Sequence, residues 1–133
     1  MKKRTFILLI VIFVILLLLL LFWFLFFRGL RQPSGLVEIN NSYLFASPLQ
    51  AKVAVKEKIR VTVFILDEQG RGVIDEPVFL GQDDRLEISS VQAVTDDFGR
   101  AIFDVSTNTS GEYYIEAKVK NKVLPQRVRV SFR

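Results

Sequence analysis

The longest uninterrupted hydrophobic stretch of the chain runs from Phe6 to Phe27. Its 22 residues are Phe, Ile, Leu, Val and one Trp, with no charge, no polar side chain, no Gly and no Pro. At ~1.5 Å per residue a helix of this length spans about 33 Å, close to the hydrocarbon thickness of a bilayer. The stretch therefore predicts one membrane-spanning helix, with the lipid bilayer as its partner.

From Leu36 onward the hydrophobic positions alternate with a period of two, and turn residues interrupt the alternation about every 8 to 12 positions. The clearest strand is Ile59 to Leu66, in which Ile59, Val61, Val63 and Ile65 share one face. The other predicted strands are Val37 to Asn40, Pro77 to Leu80, Leu86 to Ile88, Val91 to Val94, Arg100 to Val105, Glu112 to Lys120 and Gln126 to Phe132. The pattern predicts an all-β fold after the helix, an antiparallel β-sandwich of about seven or eight strands, with Asn41 to Gln50 as a loop.

Three segments follow from these patterns. Residues 1–28 are a basic tip and the transmembrane segment, and residues 29–35 are a short linker containing Gly and Pro. Residues 36–133 form the sandwich domain, called the head below. About 98 residues suffice for one ordinary domain.

Two interpretations of the N-terminal segment compete: a cleaved signal peptide and an uncleaved signal anchor. A signal peptide has a hydrophobic run of ~7 to 15 residues followed by small residues at the cleavage site. Here the run is longer and ends in Phe26-Phe27-Arg28, which favours the anchor. Lys2, Lys3 and Arg4 precede the run, so the positive-inside rule predicts a cytoplasmic N-terminus and an extracytoplasmic head.

The composition excludes several classes of function. The formal net charge is +4, but five of the 18 basic residues flank the apolar run, which leaves 13 against all 14 acidic residues in the remainder. The remainder of the chain therefore has no excess of positive charge to bind the phosphates of a nucleic acid. The chain has no Cys and no His, which excludes Ser-His-Asp and Cys-His nucleophile systems. We expect no catalytic residues, no metal site and no cofactor. A hydrolase that uses carboxylates alone is not expected either, because the Asp and Glu residues fall on predicted turns and strand exteriors, where the sequence brings no catalytic pair together.

The candidate contact residues lie on the last two predicted strands. Alternation buries Tyr113 and leaves Tyr114 exposed as a possible contact. The basic residues predicted to share one exposed face of this hairpin are Lys118, Lys120, Lys122, Arg127 and Arg129. Such a face suits lipid phosphates or an anionic envelope polymer. The alternative is an ordinary charged sheet face offset by Glu112, Glu116 and Asp104.

Two acidic pairs and two sequons have local explanations. Asp83-Asp84 and Asp96-Asp97 contain oxygen ligands suitable for calcium, but neither pair lies in a D-x-D-x-D-G loop. Both fall where turns use Asp to bond the backbone, and we favour that interpretation. We interpret the sequons beginning at Asn40 and Asn108 as coincidental.

Five motifs in order carry a resemblance to a known family. They are Asp67-Glu68-Gln69-Gly70-Arg71-Gly72-Val73, Pro77-Val78-Phe79, Thr95-Asp96-Asp97-Phe98-Gly99-Arg100-Ala101, Ser110-Gly111-Glu112-Tyr113-Tyr114-Ile115-Glu116-Ala117 and Val128-Arg129-Val130-Ser131-Phe132. Together they resemble the bacterial immunoglobulin-like (Big-1) domain of the invasin and intimin type, over about Val53 to Phe132. The resemblance implies an immunoglobulin-like sandwich used in adhesion.

The sequence thus predicts a non-enzymatic, single-pass bacterial membrane protein. It displays one extracytoplasmic immunoglobulin-like domain for a structural, adhesion or protein-interaction role, with an unknown protein or envelope polymer as partner. The alternative is an accessory subunit of a larger membrane or envelope complex, in which the helix itself forms part of the interface.

Overall fold

The computed structural model describes residues 2–28, 35–81 and 83–133, and the chain divides into two compact units, residues 1–33 and 34–133. In the first unit, helix α1 runs from Lys2 to Arg28. Within the span Lys2–Phe26, an 18-residue window reaches a mean hydropathy of 3.6, and the side chains of the span are exposed. By length and composition this helix fits either a membrane anchor or a signal sequence. Residues 29–34 of the predicted linker lie outside the described residues.

The second unit consists of strands, as predicted. Their bounds are β1 Tyr43–Ser47, β2 Gln50–Ala51, β3 Ile59–Phe64, β4 Val78–Leu80, β5 Glu87–Gln92, β6 Arg100–Ser106, β7 Gly111–Ile115, β8 Ala117–Val119, β9 Lys122–Val123 and β10 Val128–Phe132. The described residues thus contain ten strands rather than seven or eight.

The first layer of the sandwich is an antiparallel sheet in the order β1-β3-β6-β5. Its strands alternate as the sequence predicts, with Ile59, Val61 and Val63 of β3 fully buried. Val61 pairs in register with Ala46 on one side and Phe103 on the other, and both of these also face the core. The inward face of this sheet is therefore continuous across β1, β3 and β6.

The second layer contains the sheets β2-β10-β7 and β4-β8-β9. Glu116 alone separates β7 from β8, so the two sheets continue one another along a single extended stretch. β10 pairs antiparallel with β7 and parallel with β2. The chain passes from the first layer at β1 to the second at β2 through Ser47-Pro48, whose peptide bond is cis.

The core between the layers is apolar and draws on both. Tyr113 and Phe132 from the second layer meet edge to face, with ring centroids 5.8 Å apart and an interplanar angle of 81°. Other fully buried side chains are Leu44, Ile65, Val73, Val78, Val105, Ile115 and Leu124. No buried side-chain nitrogen or oxygen of the described residues lacks a hydrogen-bond partner, so this core carries little polar penalty.

Two turns of the sequence form Asp-x-x-Gly-Arg, at Asp67 to Arg71 and at Asp96 to Arg100, and they have the same internal bonding. In each turn, Oδ1 of the Asp accepts hydrogen bonds from the backbone amides two and four residues later, at 2.9 Å in the first and 3.0 Å in the second. The Arg Nε then donates to Oδ2 of the same Asp. The Arg71 amide is the main cause that lowers the pKa of Asp67.

The structure corrects three details of the predicted strands. Val37 to Asn40 is not a strand, and the first strand lies instead within Asn41 to Gln50, which the sequence predicts as a loop. There Leu44 and Ala46 face inward, while the outward residues of β1 are also largely aromatic, so the usual polar contrast is missing. The predicted strands at Leu86 to Ile88 and Val91 to Val94 are one strand, β5, whose register shifts between Ser90 and Gln92.

Candidate interaction surface

The outward side of the second layer carries most of the predicted contact residues. Because Tyr113 and Ile115 of β7 face the core, Tyr114 faces outward and is 59% exposed. The register places Arg129 of β10 opposite Tyr114, and Phe79 of β4, 65% exposed, opposite Lys118 of β8. Arg127, immediately before β10, is exposed beside this surface. We call Tyr114, Lys118, Arg127 and Arg129 the basic face.

Two of the predicted contact residues, Lys120 and Lys122, lie elsewhere. Lys120 and Asn121 form the two-residue turn between β8 and β9, both with positive φ of 50° and 61°. The Nζ atom of Lys120 lies 2.9 Å from Oε1 of Glu76. Lys122 pairs in register with Val119, which faces the core, so Lys122 lies on the other side of the hairpin from Lys118.

Acidic residues offset the basic face only in part. Nη1 of Arg129 lies 3.7 Å from Oε2 of Glu112, a long and exposed ion pair that contributes little stability. Glu116 lies on the same layer between β7 and β8. Asp104, which the sequence predicts as a third offsetting group, belongs instead to β6 of the first layer, where it pairs with Arg60 at 2.9 Å. Its side-chain bond with Arg60 is the main cause that lowers the pKa of Asp104.

A polar groove of about 520 Å³ adjoins the basic face, and Glu116 and Arg127 contribute to its lining. Asp83, also at the groove, accepts hydrogen bonds from Nε and Nη2 of Arg85 at 2.9 Å and 2.6 Å. This side-chain bonding lowers the pKa of Asp83 to about 2. The guanidinium of Arg85 also lies 4.9 Å from the ring centroid of Tyr113. The groove thus presents a fixed carboxylate-guanidinium pair, suited to polar contacts.

One side chain of each acidic pair, Asp83 and Asp96, is used by a turn. Asp83 accepts a further hydrogen bond from the backbone amide of Arg85 at 3.1 Å, and Asp96 caps its own turn as described above. In the described part of the chain, no group of three or more Asp and Glu side chains is arranged to hold a metal ion. The oxygens of Asp83 and Asp96 are directed at amides and guanidinium groups, the role that turn chemistry assigns them.

Tyr113 anchors the start of the β7 strand that carries Tyr114. Its ring is 1% exposed, and its hydroxyl donates a 2.7 Å hydrogen bond to the backbone carbonyl of Thr109. A tyrosine near the start of this strand that bonds back to the preceding corner is a hallmark of immunoglobulin-like sandwiches. Through this bond the turn before β7 is held against the core, which fixes the direction of the outward residues that follow.

The sequence does not predict a second exposed surface, on the outward side of the first layer. The ring centroid of Phe64 on β3 lies 5.2 Å from that of Tyr43 and 6.2 Å from that of Phe45, both on β1, with all rings nearly parallel. Tyr43 and Phe45 are 41% and 46% exposed. We call these three residues the aromatic cluster. The signal in the sequence is the alternation Tyr43-Leu44-Phe45-Ala46, in which every second residue is aromatic.

The head has the same fold as several solved bacterial adhesin domains. The Yersinia pseudotuberculosis adhesin InvE matches with a TM-score of 0.61 and 15% identity, over 74% of this chain and 28% of InvE. The D00-D0 domain of intimin matches with a TM-score of 0.60 and 19% identity, over 78% of this chain and 51% of that structure. Invasin, an integrin-binding protein, matches with a TM-score of 0.60 and 19% identity, over 74% of this chain and 20% of invasin.

These matches extend over a fifth to a half of the longer solved chains. No protein-family model matches this chain, and a comparison with curated protein sequences gives no match. At sequence identities of 15% to 19%, the structural similarity establishes the fold alone. The head is an immunoglobulin-like sandwich similar to domains of invasin and intimin, as the five sequence motifs predict.

Proposed function

We propose that this protein is a single-pass membrane protein of bacteria that presents one adhesion-type immunoglobulin-like domain outside the cytoplasm and performs no catalysis. The proposal is supported by the presence in one chain of two units that need different environments. Helix α1 exposes an apolar surface along Lys2–Phe26 and needs a nonpolar environment, whereas residues 35–133 contain their own buried core. In this proposal the helix anchors the chain in the membrane, and the head contacts a partner.

The basic face is our proposed contact surface. Tyr114 and Phe79 supply exposed aromatic area, and Lys118 and Arg127 have no ion pair among the described residues. Aromatic residues and Arg are enriched in protein interfaces, and unpaired cations favour an acidic partner. Invasin binds integrin, a protein partner. By analogy we infer that this face binds the acidic surface of a protein or an anionic polymer of the envelope.

Topology is the first test of the proposal. The full chain carries a C-terminal tag, and protease is added to intact cells, to spheroplasts and to lysed membranes. We expect digestion of the tag in intact cells or spheroplasts, and retention of the full-length chain in the membrane after alkaline carbonate washing. Protection of the tag until lysis would invert the orientation, and release of a shortened chain would identify α1 as a cleaved signal.

Photocrosslinking in cells tests the basic face. A photoreactive residue is placed at Tyr114 in one variant and at Lys122, which is also exposed but on the other side of the hairpin, in the control. We expect a discrete higher-mass adduct from position 114, and we expect Lys118→Glu with Arg127→Glu to reduce it severalfold. Equal adducts from both positions, or none from position 114, would refute this face as the contact surface.

A further inference from the structure

The aromatic cluster lies at the end of the head where the chain enters it. The backbone of Gly35 lies against Asp67, because a Cβ on Gly35 would be 2.7 Å from the Asp67 Cβ. The amide of Glu38 donates to the carbonyl of Leu66 at 2.8 Å, so the entering segment runs beside the end of β3. Tyr43 and Phe64 pair in register at this same end of the first layer.

The covalent connection limits how far this end can stand from a membrane that holds α1. Seven Cα-to-Cα steps join Arg28 to Gly35, which is roughly 25 Å at full extension. Leu36, the second residue of the entering segment, is 85% exposed. If α1 is held in a membrane, a tether this short gives the cluster a high local concentration at the bilayer surface.

The two arginines on the outward side of β3 and β6 beside the aromatic cluster are paired with carboxylates. Arg60 makes two hydrogen bonds to Asp104, at 2.9 Å and 3.2 Å, on the same outward side. Arg100, which pairs in register with Phe64, bonds Asp96 at 3.0 Å. Paired charges cost less to desolvate than isolated ones, and they can remain among the lipid headgroups. This surface can therefore approach a bilayer interface without leaving an unpaired charge on either arginine.

We propose that the aromatic cluster rests in the interface of the same bilayer that holds α1, so that the first layer of the head faces the membrane. This inference rests on the proposed anchoring of the chain. Tyrosine and other amphipathic aromatic rings favour the headgroup region of a bilayer. Three partly exposed rings alone would bind a membrane weakly, and the covalent tether to α1 keeps them near it. With the first layer on the lipid, the basic face of the opposite layer points away from the membrane.

Lipid quenching of single-cysteine labels tests this orientation, since the chain has no native Cys. The full chain is reconstituted in phosphatidylcholine vesicles containing one-fifth phosphatidylglycerol, with spin-labelled lipid as quencher. A fluorophore on Ser47→Cys reports the first layer at the end of β1 away from Tyr43, so proximity to the tether alone cannot explain quenching there. A fluorophore on Glu112→Cys, exposed on the outward side of the second layer, is the matched control.

We expect at least threefold stronger quenching at position 47 than at position 112. The change Tyr43→Ser with Phe45→Ser should remove most of that difference, whereas Tyr43→Phe with native Phe45 should preserve it. Equal quenching at both positions, no quenching at 47, or quenching unchanged by the double substitution would overturn the proposal. A label at 47 that is shielded only at high protein-to-lipid ratio would also overturn it, because that result identifies a second copy as the occupant.

The two proposals fail in distinguishable ways. If the chain washes out of vesicles or cell membranes with carbonate, the anchoring itself is wrong, and quenching is not interpretable as tethered docking. If the chain remains integral but position 47 is unquenched, only the docking of the aromatic cluster is wrong. Thermal unfolding of each variant, followed by circular dichroism, confirms that the serine substitutions at these exposed positions leave the head folded.

Discussion

Gly72, directly after the first Asp-x-x-Gly-Arg turn, is in close backbone contact with Gly99 of the second turn. A Cβ on Gly99 would lie 2.7 Å from the Cα of Gly72, and a Cβ on Gly72 would lie 2.5 Å from the backbone nitrogen of Gly99. Contacts this short do not occur with real side chains, so the approach of the two turns requires glycine at both positions. The two similar motifs in the sequence are thus neighbours that stack on each other at one end of the sandwich.

Alanine substitutions should distinguish the cost of steric overlap with the other turn from the cost of a left-handed backbone conformation. Gly72→Ala should lower the free energy of unfolding by about 2 to 3 kcal/mol, because the added methyl overlaps the backbone of the other turn. Gly70→Ala is the control, since Gly70 has a φ of 74° but no atom within 4 Å of an added Cβ. It should cost about 1 kcal/mol, the strain of the left-handed conformation alone. Urea unfolding measures both, and equal losses would contradict the backbone contact.

The head should fold without the helix. Among the residues whose burial is described, the buried hydrophobic ones all lie between Leu44 and Phe132. We expect residues 34–133, expressed alone, to be soluble and to unfold in urea in one cooperative transition that coincides by circular dichroism and tyrosine fluorescence. Separate transitions, or a far-ultraviolet spectrum without β structure, would contradict an independent core.

The Tyr113 hydroxyl should contribute to stability where the Tyr114 hydroxyl does not. Tyr113→Phe removes the bond to the Thr109 carbonyl and should cost about 1 kcal/mol in the free energy of unfolding. Tyr114→Phe changes an exposed residue by the same atom and should remain within about 0.5 kcal/mol of the native value. The urea midpoints of residues 34–133 give both values, and a neutral Tyr113→Phe would remove the corner bond as a stabilising feature.

Acid should destabilise the head below about pH 4. The pKa values of Asp67, Asp83, Asp96 and Asp104 are lowered in the folded state, that of Asp83 to about 2. A carboxyl group whose folded pKa is lower than the unfolded value of about 3.9 stabilises the fold above that pH and loses this effect as the pH falls through the folded pKa. The urea midpoint should therefore fall steadily between about pH 4 and pH 2.

Matched variants test the pH prediction at Asp83. Asp83→Asn removes the carboxylate that Arg85 binds, so it should lower the midpoint at pH 6 and leave a shallower decline from pH 4 to pH 2. Asp84→Asn is the control, because Asp84 has no hydrogen bond or ion pair among the described residues. A decline of the same steepness in both variants would show that the Asp83 pair does not contribute to acid sensitivity.

Strand prediction from the sequence succeeded where polar and apolar positions contrast. Ile59, Val61, Val63 and Ile65 alternate with Arg60 and Thr62, and the structure buries all four. The pattern does not predict the first strand, because Tyr43 and Phe45 are aromatic on the outward side and the contrast with the inward residues is lost. It predicts two strands in place of the single strand β5, because the register shift disturbs the period of two. Both features depend on pairing with strands that are distant in the sequence, and local alternation of polar and apolar residues does not reveal that pairing.

The candidate surface shows a similar limit. Lys118, Lys120 and Lys122 have the same parity in the sequence and would share a face on one straight strand. The chain instead reverses at Lys120-Asn121, and the two-residue turn places Lys122 opposite Val119. Turn length fixes hairpin register, so one unrecognised turn moves a residue to the other side. The sequence does not indicate this turn, because such turns usually contain Asn-Gly, whereas this one contains Lys120-Asn121.

The position of β10 constrains the order in which the head can be completed. This strand lies between β2 and β7 in its sheet, and the amide of Arg133 donates to the carbonyl of Ala51 at 3.0 Å. Partners more than 75 residues apart along the chain must therefore meet before this sheet can close. While residues 128–132 are still being synthesised, β2 has no neighbour to pair with. The sheet that joins β2, β10 and β7 therefore cannot close until the last strand of the head has been synthesised.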